Sequence, residues 1–479
     1  MKYHLLTFPL LLAALAAFAE RPNVVFLLAD DMGFGDLGCF GSPVIQSPNL
    51  DALAADGMKL LDCHSASPNC SPSRVAILTG RHPYRVGMYD YARFKPMHIP
   101  VEETTIAEIL KQAGYATMFA GKWHCSGDFD TQPHPGDHGF DHWLGNQGNF
   151  GKDNKKFKRN GEKVGTVEGW MSEVVVNEAM DWLDRQSGDE PFFVCLWFSE
   201  PHTPVVAADE FRAMYPEEVV KPYLESLYTS GGPQVKRKKE LVDPDRYFGC
   251  VTMLDHHIGR LLKYLEEKGL DENTLIVFTS DNGPEHRTDT AFGSSGELRG
   301  AKGHIHEGGI RVPSIVRWPG KIKAGSVNHA TINGTDWMPT IAALAGAEVP
   351  VEKPIDGVNI WPAIQSGKSV EREIPLFWWL YHARGGFHVS LREGDFKLVA
   401  RMIEQPEAPK PVGDRIMDFI KTAKLGEYEM YRVGSDPWET KNIIAQEPER
   451  FERLRKKMIQ LHAEIRDEGP EYVLGGKSK

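Results

Sequence analysis

Three features are scarce in this sequence of 479 residues, and each scarcity limits what the protein can be. Cysteine occurs only six times, and the spacings form no disulfide framework. Basic residues are outnumbered, since 55 Lys and Arg face 66 Asp and Glu, and the formal net charge of −11 argues against a general nucleic-acid-binding protein. Long low-complexity tracts are absent, so the composition predicts a globular chain that can bury a large core.

The first 19 residues have the pattern of a secretory signal peptide. Lys2 precedes an apolar stretch that runs to Leu15, and Ala17-Phe18-Ala19 is a small-x-small cleavage pattern. The alternative is a membrane anchor, but the apolar stretch is short for a bilayer span. We therefore predict cleavage after Ala19, a periplasmic or secreted mature chain, and no membrane attachment after cleavage.

The segment Cys70-Ser71-Pro72-Ser73-Arg74 places a cysteine at the start of a predicted helix. Pro72 suits the first turn of a helix, and Gly80 is expected to end it. Cys70 would then lie at the positive end of the helix dipole, with Arg74 one turn further on. Such a position binds an anion beside a reactive side chain, although a lone cysteine at such a junction is more often a core residue.

Four apolar runs each end in polar or ionisable residues. They are residues 23–29 before Asp30 and Asp31, 115–120 before Lys122 and His124, 192–198 before His202, and 274–279 before Asp281 and Asn282. Helical patterns alternate with these runs, which predicts an α/β fold with a large, mixed, mostly parallel sheet sandwiched by helices. Because ligands bind outside the carboxyl ends of such strands, we expect the four groups to converge on one site.

Asp30, Asp31, Asp281 and Asn282 would bring three carboxylates and an amide to that site. These groups are hard oxygen ligands, and three converging carboxylates need a cation to offset their repulsion. A calcium-type site is the physical expectation, although a single Asp-Asp or Asp-Asn pair is more often a turn or a helix cap.

The stretch from Cys70 to Gly80 resembles the signature of the formylglycine-dependent (type I) sulfatases of the alkaline phosphatase superfamily. Every fixed position of the pattern C-x-P-S-R-x-x-x-L-T-G is present. Residues 121–124, the Pro-His-Thr-Pro around His202 and residues 298–313 are similar to further motifs of this family. The stretch 31–38 is most similar to the branch that contains arylsulfatase A and N-acetylgalactosamine-6-sulfatase.

The resemblance implies that Cys70 is oxidised to formylglycine (3-oxoalanine) by a formylglycine-generating enzyme or an anaerobic sulfatase-maturating enzyme. It makes Asp30, Asp31, Asp281 and Asn282 the ligands of Ca²⁺, with Mg²⁺ as the alternative, and the matured residue 70 completes the shell. An unmodified Cys70 should bind substrate without turnover, because it has no second hydroxyl for release of the sulfate. With one cysteine consumed in this way an odd number remains, and we expect no essential disulfide network.

The resemblance also assigns roles to the basic residues. Arg74, Lys122 and Lys302 would offset charge on the sulfuryl oxygens. His202 would be the general acid for the departing alcohol, with assistance from Lys302. His124 would take a proton from the covalent intermediate, so that sulfate leaves and the aldehyde is restored.

The predicted substrate is a sulfated carbohydrate of the galactose or N-acetylgalactosamine type. Candidate pocket residues, each of which has packing or surface exposure as its alternative role, are Tyr89, Asp90, Arg93, His134, Trp143, Arg287, Arg299 and His304. Related enzymes often carry Trp where this chain has residues 304–306, so the leaving-group pocket is expected to differ. The basic stretches 152–163 and 236–239 could contact a polyanion, although such runs are usually solvated loops.

The C-terminal part resembles the small terminal subdomain of the family, in which a short antiparallel sheet packs with a final helix. We predict a signal peptide at 1–19, a catalytic domain at 20–370 and an α+β subdomain at 371–479. An insert around residues 406–425 has no clear counterpart in the family.

Two other function classes remain open. One is a phosphomonoesterase or phosphodiesterase of the same superfamily, which would turn over phosphate esters with Cys70 unmodified. The other is a non-catalytic protein that binds sulfated glycans, which would show sugar affinity without turnover. No nucleic-acid partner is expected from the acidic charge balance.

Overall fold

The computed structural model of the chain describes residues 21–92, 96–186, 188, 190–229, 244–286, 292–350, 352–403 and 415–472. The predicted signal peptide, Arg93, Arg287 and the basic stretch 236–239 lie outside the described residues. Among the described residues, no helix is both long enough and apolar enough to span a bilayer.

Strands and helices alternate along the chain, as the sequence predicts. The strands are β1 Asn23–Ala29, β2 Met58–Leu60, β3 Cys63–His64, β4 Ala116–Lys122, β5 His142–Asn146, β6 Lys152–Asn154, β7 Lys158–Arg159, β8 Glu162–Lys163, β9 Val167–Trp170, β10 Phe192–Trp197, β11 Thr274–Ser280, β12 Ile315–Arg317, β13 Ser326–Asn328, β14 Ile332–Asn333, β15 Leu376–Trp379, β16 Val389–Glu393, β17 Phe396–Ile403 and β18 Lys424–Arg432. The α-helices are α1 Pro48–Asp56, α2 Cys70–Thr79, α3 Ile106–Gln112, α4 Met171–Asp184, α5 Asp209–Arg212, α6 Glu217–Thr229, α7 Pro244–Glu267, α8 Glu307–Ile310, α9 Trp337–Leu344, α10 Trp361–Ser366, α11 Arg415–Thr422 and α12 Pro448–Glu468.

A ten-stranded sheet forms the centre of the molecule, in the order β13-β2-β12-β11-β1-β10-β4-β5-β7-β8. The four predicted apolar runs are the neighbouring strands β11, β1, β10 and β4, and they pair in parallel. Parallel strands in such a sheet are covered on both faces, which explains why their sequences are continuously apolar rather than alternating.

Strand β1 shows how the two faces are filled. Val24, Phe26 and Leu28 pack in one hydrophobic cluster, and the alternate residues of the strand pack in another. Helices α2, α3 and α9 contribute to the first cluster, and α1, α4 and α7 contribute to the second. The predicted α/β sandwich is therefore confirmed.

A second sheet follows near the C-terminus, with the antiparallel order β15-β16-β17-β18. Leu391 and Leu398 of this sheet share a core cluster with Leu454 and Met458 of helix α12. The predicted short antiparallel sheet and final helix are confirmed, while the boundary near residue 371 stays a prediction. The described part of the insert forms α11 and the start of β18.

Candidate active site

The four neighbouring parallel strands deliver polar residues to the same edge of the sheet. Asp30 and Asp31 follow β1, Lys122 ends β4 and precedes His124, His202 lies beyond β10, and Asp281 and Asn282 follow β11. The backbones of these segments are joined, since Asp281 N–H donates to Ala29 O at 3.1 Å and Asp30 N–H donates to Glu200 O at 3.0 Å. The predicted convergence of the four strand ends follows directly from their parallel order.

Helix α2 supplies Cys70 as its first residue. The helix ends at Gly80, whose φ of 66° is left-handed and whose N–H donates to Ala76 O, as the sequence predicts. Every residue of the helix is buried, including Arg74. The thiol is thus fixed at a helix N-terminus inside the protein.

Carboxylates surround the Cys70 thiol. Its Sγ lies 3.4 Å from Asp30 Oδ1 and 3.9 Å from Asp31 Oδ1. Asp31 has a φ of 63°, and its N–H donates to Asp281 Oδ1 at 3.2 Å. Asn282 Nδ2 donates to Asp31 Oδ1 at 2.7 Å. Three buried carboxylates and one amide therefore meet beside the sulfur.

Three buried cations lie among these carboxylates. Lys122 Nζ is paired with Asp30, and Lys302 Nζ lies 2.6 Å and 2.8 Å from the two oxygens of Asp31. Lys302 Nζ also lies 3.2 Å from Cys70 Sγ. Arg74 contacts the third carboxylate, that of Asp281, through Nε at 2.9 Å and Nη2 at 2.8 Å. Each of the three carboxylates around the sulfur is therefore paired with a buried cation.

Burial shifts the acidities in this cluster. It raises the pKa of Asp281, and the neighbouring Asp30 raises it further. Burial also opposes ionisation of Asp30, but Lys122 and other nearby cations outweigh this and hold its pKa well below the usual range. Burial and the adjacent carboxylates raise the pKa of the Cys70 thiol well above its usual value. An unmodified Cys70 is therefore a protonated thiol and a poor nucleophile.

The oxygen atoms of the cluster fit a hard divalent cation. Asn282 Oδ1 is buried and has no hydrogen-bond partner among the described residues, which is unusual for a buried amide oxygen. The carboxylates of Asp30 and Asp31 offer ligand atoms within 4.8 Å of Cys70 Sγ and a ring nitrogen of His202. Carboxylate and amide oxygens are the ligand types that Ca²⁺ prefers, and Mg²⁺ uses the same types.

Two histidines lie at the cluster with different surroundings. His202 Nδ1 donates to Thr203 O at 2.6 Å, which directs Nε2 toward Asp31 Oδ2 at 3.5 Å and Asn149 Nδ2 at 3.2 Å. His124 is half-buried, and its ring stacks on the Tyr91 ring, with centroids 6.0 Å apart. Burial, with Lys122 and Arg74, lowers its pKa well below the usual value. His124 is therefore a neutral imidazole that can accept a proton.

Two of the candidate pocket residues require correction. Tyr89 is 0% exposed, and its hydroxyl donates to Pro470 O at 2.6 Å. Trp143 is 2% exposed and packs edge-on against Phe129. Both side chains are core residues. Tyr89 packs against the Tyr84 ring, and Trp143 belongs to strand β5.

The remaining described candidates have separate surroundings. His134 pairs with Asp137 at 3.1 Å in a surface turn, and Arg299 donates to the Tyr431 hydroxyl at 2.8 Å in the C-terminal sheet. These contacts give both residues a structural role. His304 lies two positions after Lys302, with Nδ1 2.9 Å from Ala301 O. In the basic stretch 152–163, Lys158 pairs with Asp130, and Arg159 pairs with Glu178.

Asp90 remains near the cluster and brings in residues that sequence reasoning missed. Its neighbour Tyr91 lies between His124 and Lys302, with Nζ of the lysine 5.8 Å from the ring centroid. His382 Nε2 lies 3.0 Å from Asp90 Oδ1. The adjacency of Asp90 and Tyr91 could have signalled the tyrosine, but nothing local in the sequence marks His382.

Comparisons with known proteins agree with this arrangement. The sequence profile of the Sulfatase family matches residues 22–347, and that of the N-sulphoglucosamine sulphohydrolase C-terminal region matches residues 300–408. N-acetylgalactosamine-6-sulfatase of Canis lupus familiaris is 34% identical over 411 residues, which are 80% of this chain and 72% of that protein. Arylsulfatase A of Homo sapiens is 33% identical over 473 residues, which are 91% of this chain and 86% of that protein.

A solved structure shows the same architecture. Ps i-CgsB in complex with k-i-k-neocarrahexaose is 26% identical, superimposes with a TM-score of 0.77, and is matched over 96% of both chains. The convergence of the strand ends, the helix that begins at Cys70 and the match to the family profile all indicate the same family. The chain therefore belongs to the sulfatase family, and it is a sulfuric ester hydrolase with the alkaline-phosphatase-like fold.

Proposed function

We propose that this chain is an exported sulfatase that releases sulfate from esters of galactose-type or N-acetylgalactosamine-type sugars. The nucleophile is formylglycine made from Cys70. The observation that carries the proposal is the position of Cys70 Sγ at the start of α2, 3.4 Å from Asp30 Oδ1 and 3.2 Å from Lys302 Nζ. A nucleophile placed between metal-binding carboxylates and a cation suits an anionic ester.

Conversion of Cys70 is part of the proposal because the thiol is a weak nucleophile in this site. Burial and neighbouring carboxylates keep the thiol protonated by raising its pKa. The partner that performs the conversion is a formylglycine-generating enzyme or an anaerobic sulfatase-maturating enzyme. Once converted, residue 70 supplies a hydrated aldehyde, with one hydroxyl for attack on sulfur and a second for release of sulfate.

The metal of the proposed site is Ca²⁺, with Mg²⁺ as the alternative. Asp30, Asp31, Asp281 and Asn282 would hold it, and the buried, unpartnered Oδ1 of Asn282 supports this ligand set. A bound divalent cation supplies Lewis acidity, which lowers the pKa of an attached hydroxyl and offsets the charge of the sulfate.

The buried cations and histidines complete the proposed machinery. Arg74, Lys122 and Lys302 offset charge on the sulfuryl oxygens, and they do so strongly because all three lie in a water-poor interior. His202 donates a proton to the departing alcohol from the partly exposed side of the site. Burial and Lys302 lower its pKa, so the imidazole has to be protonated when the ester binds. His124 accepts a proton when sulfate leaves, which its depressed pKa permits.

The substrate class and the location rest on the comparisons and on the N-terminal pattern. The similar proteins are named N-acetylgalactosamine-6-sulfatase and arylsulfatase A, and the similar solved structure contains k-i-k-neocarrahexaose. These names support a sulfated carbohydrate. Residues 1–19 support export to the periplasm or the exterior.

Sulfate release tests this proposal. The full chain would be co-expressed with a formylglycine-generating enzyme, and conversion of residue 70 would be checked by mass. A panel of sulfated galactose and N-acetylgalactosamine derivatives would be compared with Cys70→Ala and with Cys39→Ala, a half-buried cysteine away from the cluster. We expect release to be lost in Cys70→Ala and to stay within about twofold in Cys39→Ala.

Other results would select another function. Phosphate-ester turnover by unconverted protein would favour a phosphoesterase of the superfamily. Sugar binding without any release from converted protein would favour a glycan-binding protein.

A further inference from the structure

A polar turn from the C-terminal sheet packs against the candidate active site. It follows β15, contains His382, and continues through the short 3-10 turn Arg384–Gly386 before β16 begins. Two independent contacts attach this turn to the catalytic part of the chain. No role has been given to it so far.

The first attachment runs through the carboxylate of Asp90. Asp90 is 1% exposed, and it accepts hydrogen bonds from the Tyr381 hydroxyl at 3.1 Å and from the Tyr91 N–H at 2.8 Å. His382 Nε2 lies 3.0 Å from its Oδ1, and the His382 side chain is 38% exposed. A buried carboxylate thus holds one edge of an imidazole whose remainder reaches solvent.

The position of Asp90 places this imidazole beside the reaction centre. Tyr91, the next residue, stacks on His124 and lies 5.8 Å from Lys302 Nζ. Burial raises the pKa of Tyr91, and the nearby Cys70 and Asp31 raise it further. The Asp90 carboxylate is therefore anchored on a residue that contacts two members of the proposed machinery.

The second attachment joins Arg384 to the two loops that carry Asn282 and Lys302. The guanidinium of Arg384 donates to both oxygens of Glu285, at 2.8 Å and 2.9 Å. The Arg384 N–H donates to Gly303 O at 2.6 Å. A Cβ at Gly303 would lie 2.9 Å from Arg384 Nε, so the turn and the loop are in direct contact.

The two basic side chains of this turn each lie beside a carboxylate. Arg384 is paired with Glu285, and His382 Nε2 lies beside Asp90, so both side chains already have a carboxylate neighbour. Among the described residues, this surface therefore offers hydrogen bonds from two side chains that already contact a carboxylate. Its chemistry fits the hydroxyl groups of a sugar ring.

We propose that His382, with Arg384 beside it, forms a sugar-binding subsite that recognises hydroxyl groups on the ring that carries the sulfate ester. Asp90 and Glu285 are positioning residues, since they hold the imidazole and the guanidinium. The subsite rests on the proposed sulfatase function and adds the ligand class: an uncharged part of a galactose-type ring.

The test compares a sugar ester with an ester that lacks the sugar. Converted full-length protein would be assayed on galactose 6-sulfate or N-acetylgalactosamine 6-sulfate and on 4-nitrophenyl sulfate. We expect His382→Ala and Asp90→Asn to raise KM for the sugar ester by about tenfold, because one hydrogen bond to a fixed polar group is lost. The ratio of kcat/KM for sugar ester to aryl ester should fall by a similar factor.

Controls separate recognition from folding. His329→Ala removes an exposed histidine elsewhere and should stay within about twofold of the parent on both esters. His382→Gln should recover part of the KM for the sugar ester, because it restores a hydrogen-bonding group. An equal fall on both esters, or no change on the sugar ester, would overturn the subsite.

Binding to unreactive protein keeps the subsite and the proposed function distinguishable. Galactose 6-sulfate would be titrated into Cys70→Ala and into Cys70→Ala/His382→Ala by calorimetry. If converted parent protein hydrolyses neither ester, the proposed function fails, and the subsite is then decided by this titration. A roughly tenfold weaker affinity in the double variant supports it, and equal affinities contradict it.

Discussion

Two buried clusters among the described residues each combine acidic and basic side chains. They differ in whether a nucleophilic thiol and a potential metal-ligand atom without a hydrogen-bond partner lie beside the charges. The catalytic cluster comprises Asp30, Asp31, Arg74, Lys122, Asp281 and Lys302, at the carboxyl ends of the parallel strands. The inter-sheet cluster comprises Asp62, His64, Glu307, Arg311, Arg392, Lys397 and Glu439, between the catalytic body and the C-terminal sheet.

Each charged side chain of the inter-sheet cluster lies within ion-pair distance of a side chain of opposite charge. Arg392 donates to both oxygens of Asp62, at 2.9 Å and 2.6 Å. Lys397 Nζ lies 2.9 Å from Glu307 Oε1 and 2.9 Å from Glu439 Oε1. Forked arginine contacts of this kind fix geometry as well as charge. The cluster therefore joins the C-terminal sheet to the catalytic body.

Both clusters contain a group of residues spaced to bind a metal. In the inter-sheet cluster this group is Asp62, His64 and Glu307, and basic side chains pair with its carboxylates, as they do in the catalytic cluster. The catalytic cluster adds a thiol and an amide oxygen of Asn282 that has no partner among the described residues. Buried charge alone does not identify an active site; unsatisfied ligand atoms beside a nucleophile do.

The sharpest test of this comparison is Asp281→Asn in the catalytic cluster. We expect sulfate release to fall by at least about a hundredfold, because a proposed metal ligand is lost while the shape is kept. Some loss of stability is also expected, because Arg74 loses a carboxylate partner, although its Nη2 remains 3.3 Å from Asp30 Oδ2. The checks are steady-state sulfate release and the melting temperature with and without added Ca²⁺.

Calcium supplies the matched control for that variant. Ca²⁺ should raise the melting temperature of the parent, because a ligand that binds only the folded state stabilises it. The rise should be absent in Asp281→Asn and retained in Glu348→Gln, an exposed position elsewhere. A full calcium response in Asp281→Asn would show that the ligand set is different.

The reverse outcome is expected for Glu307→Gln in the inter-sheet cluster. Removing this carboxylate leaves Lys397, Arg311 and His64 less compensated inside the protein. We expect a loss of about 3–5 kcal/mol in the free energy of unfolding, with sulfate release per folded molecule retained. Urea unfolding measures the first quantity, and active-site-normalised assays measure the second. Lost activity in a stably folded variant would mean that the two clusters are not separable.

The smallest expected effect is a loss of folding stability at low pH, which comes from protonation of Asp62. Burial opposes ionisation of Asp62, but Arg392 and Arg311 outweigh it and hold the pKa of Asp62 below its usual value of 3.8. The unfolded chain therefore binds more protons at this carboxyl below about pH 4. The stability from this pair is present above that pH and is lost as the pH falls.

Asp62→Asn isolates that contribution. The variant should be less stable than the parent at pH 7, and the difference should narrow as the pH falls toward 3. Urea unfolding at pH 7, 4 and 3 measures both curves. A difference that is independent of pH would show that Asp62 acts through packing rather than through charge.

Much of the catalytic cluster could be predicted from local sequence. Helix α2 begins at Cys70 and stops at Gly80, because the Pro72 and glycine positions suit a helix start and a left-handed end. The apolar runs are parallel strands, since burial on both faces requires continuous apolar residues. Because these strands run in the same direction, the residues that follow them lie at the same edge of the sheet.

The surroundings of the substrate could not be predicted in the same way. Tyr89 and Trp143 were predicted to line the pocket but lie in the core, because the sequence alone does not distinguish an aromatic ring in the core from one in a pocket. Arg299 contacts Tyr431, and His382 contacts Asp90, although the two members of each pair are far apart in the chain. No periodicity or motif links such pairs.

The sequence by itself determined the strand ends and the helix that carries Cys70, the proposed nucleophile, because helix signals and strand burial act over a few neighbouring residues. Only the tertiary structure decided which partner each buried charge has, and which polar atoms, such as Asn282 Oδ1, have none among the described residues. Pairing such as Arg392 with Asp62 depends on how the C-terminal sheet docks, and the partner of a buried charge is set by packing in three dimensions.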